Sequence, residues 1–444
     1  MSSPHDCLRS RKSSTISDEN LSLCVPRPSS GLNTNEPVLV RSTKPRLPDS
    51  HILVKVDRFG FSANNVTYQA LGEAPHFRYF DYHPAPEENG VSPITHGLVP
   101  VWGFGTVVAS SNDKIKVGER IYGYLAPARY LVLPVTSSSI NKYFFYVLRP
   151  HLPADRRPYN QIIRCSTDAQ YDPSPLAEDL TMLYRPLFWT SFWCEDWLNA
   201  SHHRGATRIL ISSASSKTAF CLAYCVKKRI QNDGLQDQGI KVIGLTSKRN
   251  LEFTKGLGLY DEVGEYDTFT SMPALKIDED ERKWLYFDVT GNEDFNARVL
   301  SYFAPSGKLV LGIRFGTTNL TPSSSTVGTT ALPTTSTAHE LTQSTSTPAS
   351  ESTEKMVLFF MPEWLAMRRK ELPVKTITDM QVKAWRDLMK EGKDWVKIQR
   401  AYGGEEVRKA YETIVKGKLG PEVGMVWSLW DSPEQASNVA SSKL

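Results

Sequence analysis

Ile209-Leu-Ile-Ser-Ser-Ala-Ser-Ser-Lys-Thr-Ala219 decides the fold. A short, wholly apolar run meets a bend of small residues, and a helix pattern follows at once. Residues Arg208–Ser212 read as a strand buried on both faces. Ala219, Leu222, Ala223, Val226 and Ile230 recur at i, i+3, i+4, i+7 and i+11, which predicts a helix over 217–230. Lys227, Lys228 and Arg229 suit the negative end of its dipole. Working outward, Lys241–Leu245, Trp284–Val289 and Lys308–Gly312 are further apolar runs, separated by helical stretches. Strands alternating with helices predict βαβ units, a doubly wound parallel sheet, and a ligand crevice at the strands' carboxyl ends. Residues 176–199 read as a helix that Pro186 should kink or divide.

The stretch before this block, 36–165, reads as β-rich. His51–Asp57, Pro100–Ala109, Lys116–Tyr124 and Tyr130–Val135 are short strands with Gly and Pro punctuation, as in a compact barrel. Gly103 and Gly105 permit a bulge or a close backbone approach. Residues 354–432 read as a mostly helical segment completing the fold, with Met425–Trp430 as a closing strand. Residues 1–35 are Ser-rich, polar and aperiodic, and are expected to be a disordered tail; 433–444 is a second tail. In 321–353, 11 Thr and 8 Ser of 33 residues leave too little apolar surface to offset chain entropy, so a disordered insertion is expected there.

Composition excludes several classes. Of 444 residues, 40% are hydrophobic and 10% aromatic, enough for sizeable cores. A balance of 52 basic against 48 acidic residues gives +4, no footprint for nucleic acid. No apolar run is long enough for a membrane helix, and no signal-peptide core is present. The six cysteines lack Cys-x-x-Cys spacing, so no metal site is expected and they read as reduced, in a cytoplasmic protein.

The bend Ser212, Ser213, Ser215, Ser216, Lys217 and Thr218 stands where a dinucleotide fold places its glycine-rich turn. Small side chains let a backbone approach a diphosphate, and N–H groups at a helix start attract it. The alternative is a merely well-capped helix, and a turn needing φ > 0 would suffer without glycine. Ser247, Lys248 and Arg249 follow the next strand where an NAD-preferring fold carries an acid. A hydroxyl beside two cations suits a 2′-phosphate, favouring NADPH; a solvated charge cluster is the other reading. Asp288 and Gly312 follow later strands and are expected at the carboxyl edge, where a nicotinamide could rest. Asn64, Asn65 and Tyr68 offer amides and a phenol to orient a carbonyl or relay a proton; a capped helical turn with Tyr68 half buried is the plainer reading.

These motifs, in this order, resemble the medium-chain dehydrogenase/reductase superfamily, in its quinone-oxidoreductase-like branch. The resemblance rests on Ile52-Leu-Val-Lys-Val56, Val101-Trp-Gly-Phe-Gly105, Lys116-Val-Gly-Glu-Arg-Ile-Tyr-Gly123, Ala177-Glu-Asp-Leu-Thr-Met182, Ile209-Leu-Ile-Ser-Ser213, Gly244-Leu-Thr-Ser247 and Phe287-Asp-Val-Thr-Gly291. Asn64-Asn-Val-Thr-Tyr68, Leu183-Tyr-Arg-Pro-Leu187 and the serine bend are similar to an uncharacterised subgroup with a Ser-rich cofactor loop. The resemblance implies an α/β protein: a GroES-like β-barrel-type domain, 36–165, packed on a Rossmann dinucleotide-binding domain, 176–320. It implies an oxidoreductase with NADPH in the cleft and a small-molecule enone, quinone or similar carbonyl as substrate. The zinc-binding Cys and His of the alcohol-dehydrogenase branch are missing, which implies metal-free chemistry. The glycine turn is missing too, which leaves a degenerate, non-catalytic nucleotide-binding or scaffold module as the rival. Neither nucleic acid nor membrane is an expected partner, and the assembly is left open, a homodimer included.

Overall fold

The computed structural model describes residues 18–75, 77–276, 281–316, 320–322 and 356–437. Six parallel strands form one sheet: β10 (Arg208–Ile211), β11 (Lys241–Thr246), β12 (Glu262–Glu265), β13 (Trp284–Asp288), β14 (Leu309–Arg314) and β15 (Met356–Leu358). Their spatial order is β12-β11-β10-β13-β14-β15. The chain winds outward one way from β10, then the other way from β13, so a crevice opens beyond the carboxyl ends of that pair. Ile209, Leu210, Ile211, Leu285, Tyr286 and Phe287 are fully buried, as strands covered on both faces require.

Helices cover the sheet: α2 (Pro175–Ala200), α3 (Lys217–Asn232), α4 (Leu251–Gly256), α5 (Glu293–Phe303), α6 (Met361–Glu371) and α7 (Val374–Glu391). The division expected at Pro186 does not occur, and α2 runs through it as one 26-residue helix. Proline cannot donate to the carbonyl four residues back. That carbonyl, of Met182, faces Gly60, where a Cβ would stand only 3.0 Å away. Trp193, Trp197, Tyr184 and Phe188 bury the helix against the core, and this packing outweighs the lost bond.

The second body is the barrel. Its main sheet runs β16-β17-β3-β5-β6-β9-β8, with β7 also paired to β3. The strands are β3 (His51–Phe61), β5 (Val101–Ser110), β6 (Arg120–Leu125), β7 (Tyr130–Pro134), β8 (Phe144–Tyr146), β9 (Gln161–Arg164), β16 (Lys397–Tyr402) and β17 (Val423–Ser428). Gly103 and Gly105 lie within β5, and a Cβ at either would come within 2.8 Å of a β3 carbonyl. A small sheet, β2-β1-β4, joins β1 (Glu19–Pro26), β2 (Val38–Thr43) and β4 (His96–Gly97). The short helix α1 (Ala63–Ala70) leaves β3, and α8 (Gly404–Val415) links β16 to β17. The fold is α/β, a GroES-like barrel on a Rossmann domain.

Both expected tails need correction. Residues 19–26 are a buried strand, because Leu21, Leu23, Cys24 and Val25 enter the barrel core. Its one buried amide is matched: Asn20 Oδ1 accepts from the Tyr130 N–H at 2.9 Å, and its Nδ2 donates to the Tyr130 carbonyl at 3.3 Å. Residues Pro433–Ser437 form α9, and the buried Lys55 ammonium donates to the Gln435 carbonyl at 2.6 Å. Residues 1–17, 438–444 and all but the first two of the 321–353 stretch lie outside the described residues. The 354–432 segment is not only helical: it supplies β15 to one sheet and β16 and β17 to the other.

Ion pairs to buried carboxylates join the two bodies. Arg58 meets Glu178 at 2.8 Å and Asp179 at 2.6 Å. Arg120, from the Lys116–Gly123 motif, meets Glu178 at 2.6 Å and also pairs with Asp57. Arg400 Nε donates to Asp179 at 2.7 Å. Three barrel strands are thereby fixed to the start of α2, each charge answered by another.

Candidate active site

The serine bend lies at the crevice between β10 and β13. Ser213 has φ +51°, the left-handed region that glycine would occupy at low cost. Its N–H donates to the Tyr266 hydroxyl at 2.8 Å. The next N–H, of Ala214, donates to the Leu245 carbonyl, and Ser216 N–H to the Ser213 carbonyl, which closes the turn. Ser216 caps α3, its hydroxyl accepting from Ala219 N–H at 3.4 Å. Among the described residues, the N–H groups of Lys217 and Thr218 meet no acceptor. They are first-turn donors at the positive end of a sixteen-residue helix, as an anionic phosphate requires.

The remaining expected residues divide by their actual partners. Ser212 is fully buried, and its hydroxyl accepts from Val289 N–H at 2.9 Å and lies 3.2 Å from the Thr290 hydroxyl. It therefore ties the bend to the loop after β13. Ser215 accepts from Asn250 Nδ2 at 3.0 Å and from the Thr246 hydroxyl at 3.2 Å, tying the bend to the loop after β11. Ser247 is half-buried and Lys248 exposed on that loop. Lys217 and Arg249 do not face the bend. The Lys217 ammonium donates to the carbonyls of Val423 at 3.1 Å and Pro421 at 3.4 Å, and Arg249 donates to the Gly417 carbonyl at 2.8 Å. Both reach the segment between α8 and β17. Burial pushes the Lys217 ammonium down to about 8.

Asp288 stays within its own loop. It accepts from Gly291 N–H at 2.8 Å, the Thr290 hydroxyl at 2.9 Å and Asn296 Nδ2 at 2.7 Å. Burial first pushes its carboxyl above the usual range, and these donors oppose the shift. Gly312 is not at the carboxyl edge: it pairs with Tyr286 and Met356 inside β14, and the strand continues to Arg314. The apolar run extended two residues further than its glycine suggested.

On the barrel, Asn65 completes a capping box with Ser62 and donates to the Pro100 carbonyl at 3.0 Å, so it is structural. Asn64 Nδ2 donates to the Tyr68 hydroxyl at 2.7 Å. Tyr68 packs on Tyr79 and Tyr124, with ring centroids 4.6 and 5.6 Å away. Burial is the largest of the causes that push its phenol above its ordinary value, so it carries its proton at neutral pH. Tyr266 and Asn250 escaped the sequence reading, and Thr290 entered it only within the Phe287–Gly291 stretch, with no role of its own. The only signal was position, each lying just after a strand of the parallel sheet.

A family model described as a protein of unknown function (DUF2855) matches residues 59–420. The chain belongs to this family. No curated protein matches the sequence of this DUF2855 member. Among solved structures, CurA in complex with NADPH, from Vibrio vulnificus, is similar with a TM-score of 0.53 at 14% identity, over 92% of this chain and 98% of that one. A second CurA structure from the same organism gives 0.50 at 13% identity, over 93% and 99%. The likeness is one of fold alone. Among the described residues no cluster of three His, Cys, Asp or Glu could hold a metal, and no helix is long and apolar enough to cross a membrane.

Proposed function

We propose that this DUF2855 protein is a zinc-independent, NADPH-dependent oxidoreductase that reduces an enone, quinone or similar carbonyl substrate. The observation that carries the reading is the pair of open N–H donors, Lys217 and Thr218, at the start of α3 beside the β10–β13 crevice. A diphosphate fits such donors, and the exposed Lys248 with Ser247 on the adjoining loop fits a 2′-phosphate. The CurA neighbour of the same fold is itself a complex with NADPH.

When bound, the cofactor supplies a hydride. The chain's own part is to place the substrate oxygen and protonate it. Asn64 holds the Tyr68 oxygen by donating to it, which turns the phenol's O–H away from the amide. Tyr68, kept protonated by burial, gives that proton to the substrate oxygen as the carbon accepts hydride.

The reading is tested by calorimetric titration with NADPH and NADH, and by thermal unfolding with each. NADPH is expected to bind and raise the melting temperature while NADH does not. Failure of NADPH to bind overturns the proposal. One observation favours the scaffold alternative: Tyr266 already engages the Ser213 N–H, and Lys217 and Arg249 already serve the α8–β17 segment. That alternative expects no binding of either nucleotide.

A further inference from the structure

A cleft of about 880 Å³ opens on the barrel beside the edge strand β8. Ile140, Phe144 and Leu148 give it apolar walls, and Thr136, Ser138 and Ser139 line another part. Two arginines line it, Arg149 and Arg157, and among its described lining residues there is no Asp or Glu. Arg157 is exposed, its guanidinium 4.6 Å from the Tyr146 ring centroid.

Arg149 is the anomaly. It is only 7% exposed, yet all its partners are neutral: the Tyr82 carbonyl at 2.8 Å, Asn160 Oδ1 at 2.9 Å and His83 Nε2 at 3.1 Å. It forms no ion pair among the described residues. Burial pushes it down to about 10, so it is still a cation at neutral pH. The adjacent His83 is driven towards its neutral form by burial first and by Arg149 second, so it adds no charge. Elsewhere in this protein a buried guanidinium such as that of Arg185 faces a carboxylate, Asp168 at 2.6 Å. Withdrawing a guanidinium from water without a counter-charge costs several kcal/mol, which neutral acceptors recover only in part. With one bond made by Nη1 and one by Nη2, each terminal nitrogen keeps one further N–H, and the guanidinium lacks the counter-charge that an anion would supply.

We propose that this cleft binds a small organic carboxylate with an apolar body, its carboxylate on Arg149 with Arg157 at the rim and its body against Ile140, Phe144 and Leu148. The apolar walls distinguish this ligand from inorganic phosphate. The site is independent of the redox reading and stands or falls separately from it.

The test is calorimetric titration of the full chain with 4-phenylbutyrate, 4-phenylbutyramide and inorganic phosphate. The carboxylate is expected to bind one per chain, at least tenfold more tightly than the amide or phosphate. Arg149→Gln and Arg157→Gln should each weaken it, Arg149→Gln by at least tenfold. Should Arg149→Gln fail to fold, Leu148→Glu serves instead: Leu148 is 42% exposed, so the fold should persist, and a carboxylate placed in the cleft should abolish binding. Equal affinity for acid and amide, phosphate binding as tight as the acid, undiminished binding to Leu148→Glu, or no binding at millimolar concentration overturns the proposal.

Discussion

The Tyr266 hydroxyl accepts a 2.8 Å hydrogen bond from the backbone N–H of Ser213, a residue held at φ +51°. A phenol on the loop after β12 thus fixes a left-handed serine in the bend after β10. A β-branched side chain is strained in that backbone conformation. Ser213→Val should therefore destabilise the protein by about 2 kcal/mol, whereas Ser213→Gly should fold with little loss. Urea unfolding midpoints of the two variants check this.

Lys248 is exposed on the loop after β11, and its replacement should leave the fold untouched. If it answers a 2′-phosphate, Lys248→Ala weakens NADPH binding about tenfold, or about 1.4 kcal/mol. Affinity for NADH should not change. Titration with both nucleotides separates the outcomes.

Tyr68→Phe removes the proposed proton donor and keeps the ring packing on Tyr79 and Tyr124. Loss of a positioned acid costs roughly 10²–10⁴-fold in rate. In steady-state assays of enone reduction, kcat should fall by about 100-fold or more with KM little altered.

Arg120 lies between Asp57 and Glu178, both carboxylates only 3% exposed. Arg120→Met leaves each with one cationic partner fewer and should cost about 3 kcal/mol. Chemical denaturation should show this loss, with no comparable effect from Lys375→Ala in an exposed pair on α7.

Glu195 is buried between α2 and α3 against Arg229, 3.0 Å away, and burial pushes its carboxyl up to about 7. Its unfolded value is near 4.3. The folded state therefore holds the proton more tightly, and this contribution to stability is full below about pH 4.3 and lost as pH rises through 7. Relative to Glu195→Gln, the wild-type protein should lose stability between about pH 4.3 and 7 and no further above it. Denaturation midpoints measured across that range provide the check.

Four of the six parallel strands, β10, β11, β13 and β14, were legible as apolar runs, and α3 shows its period in one face; β12 and β15 were not, because Glu262–Glu265 is half charged and Met356–Leu358 is only three residues long. The barrel strands from His51 to Pro134 were legible through their punctuation by glycine and proline. Residues 19–26 were not, since Asn20 and Ser22 look solvent-bound until Tyr130 is brought beside Asn20 by pairing 110 residues apart. The bend's position was readable from Ile209–Thr218, but which side chains face it was not. Lys217 and Arg249 turn toward carbonyls of a segment some 170–200 residues later in the chain, and no local pattern encodes that choice. The isolation of Arg149 is likewise a property of packing, invisible where arginines are only counted.

β17 lies between β16 and β3, so one neighbour of β3 is made more than 360 residues after it. During synthesis on a ribosome, the flank of β3 that receives β17 stays uncovered for more than 360 residues of elongation. The nascent barrel is therefore an open intermediate, unpaired at Phe59–Phe61 of β3, and its closure waits on the synthesis of β17. Such a chain has more to gain from a chaperone that shields strand edges than one whose domains mature in sequence.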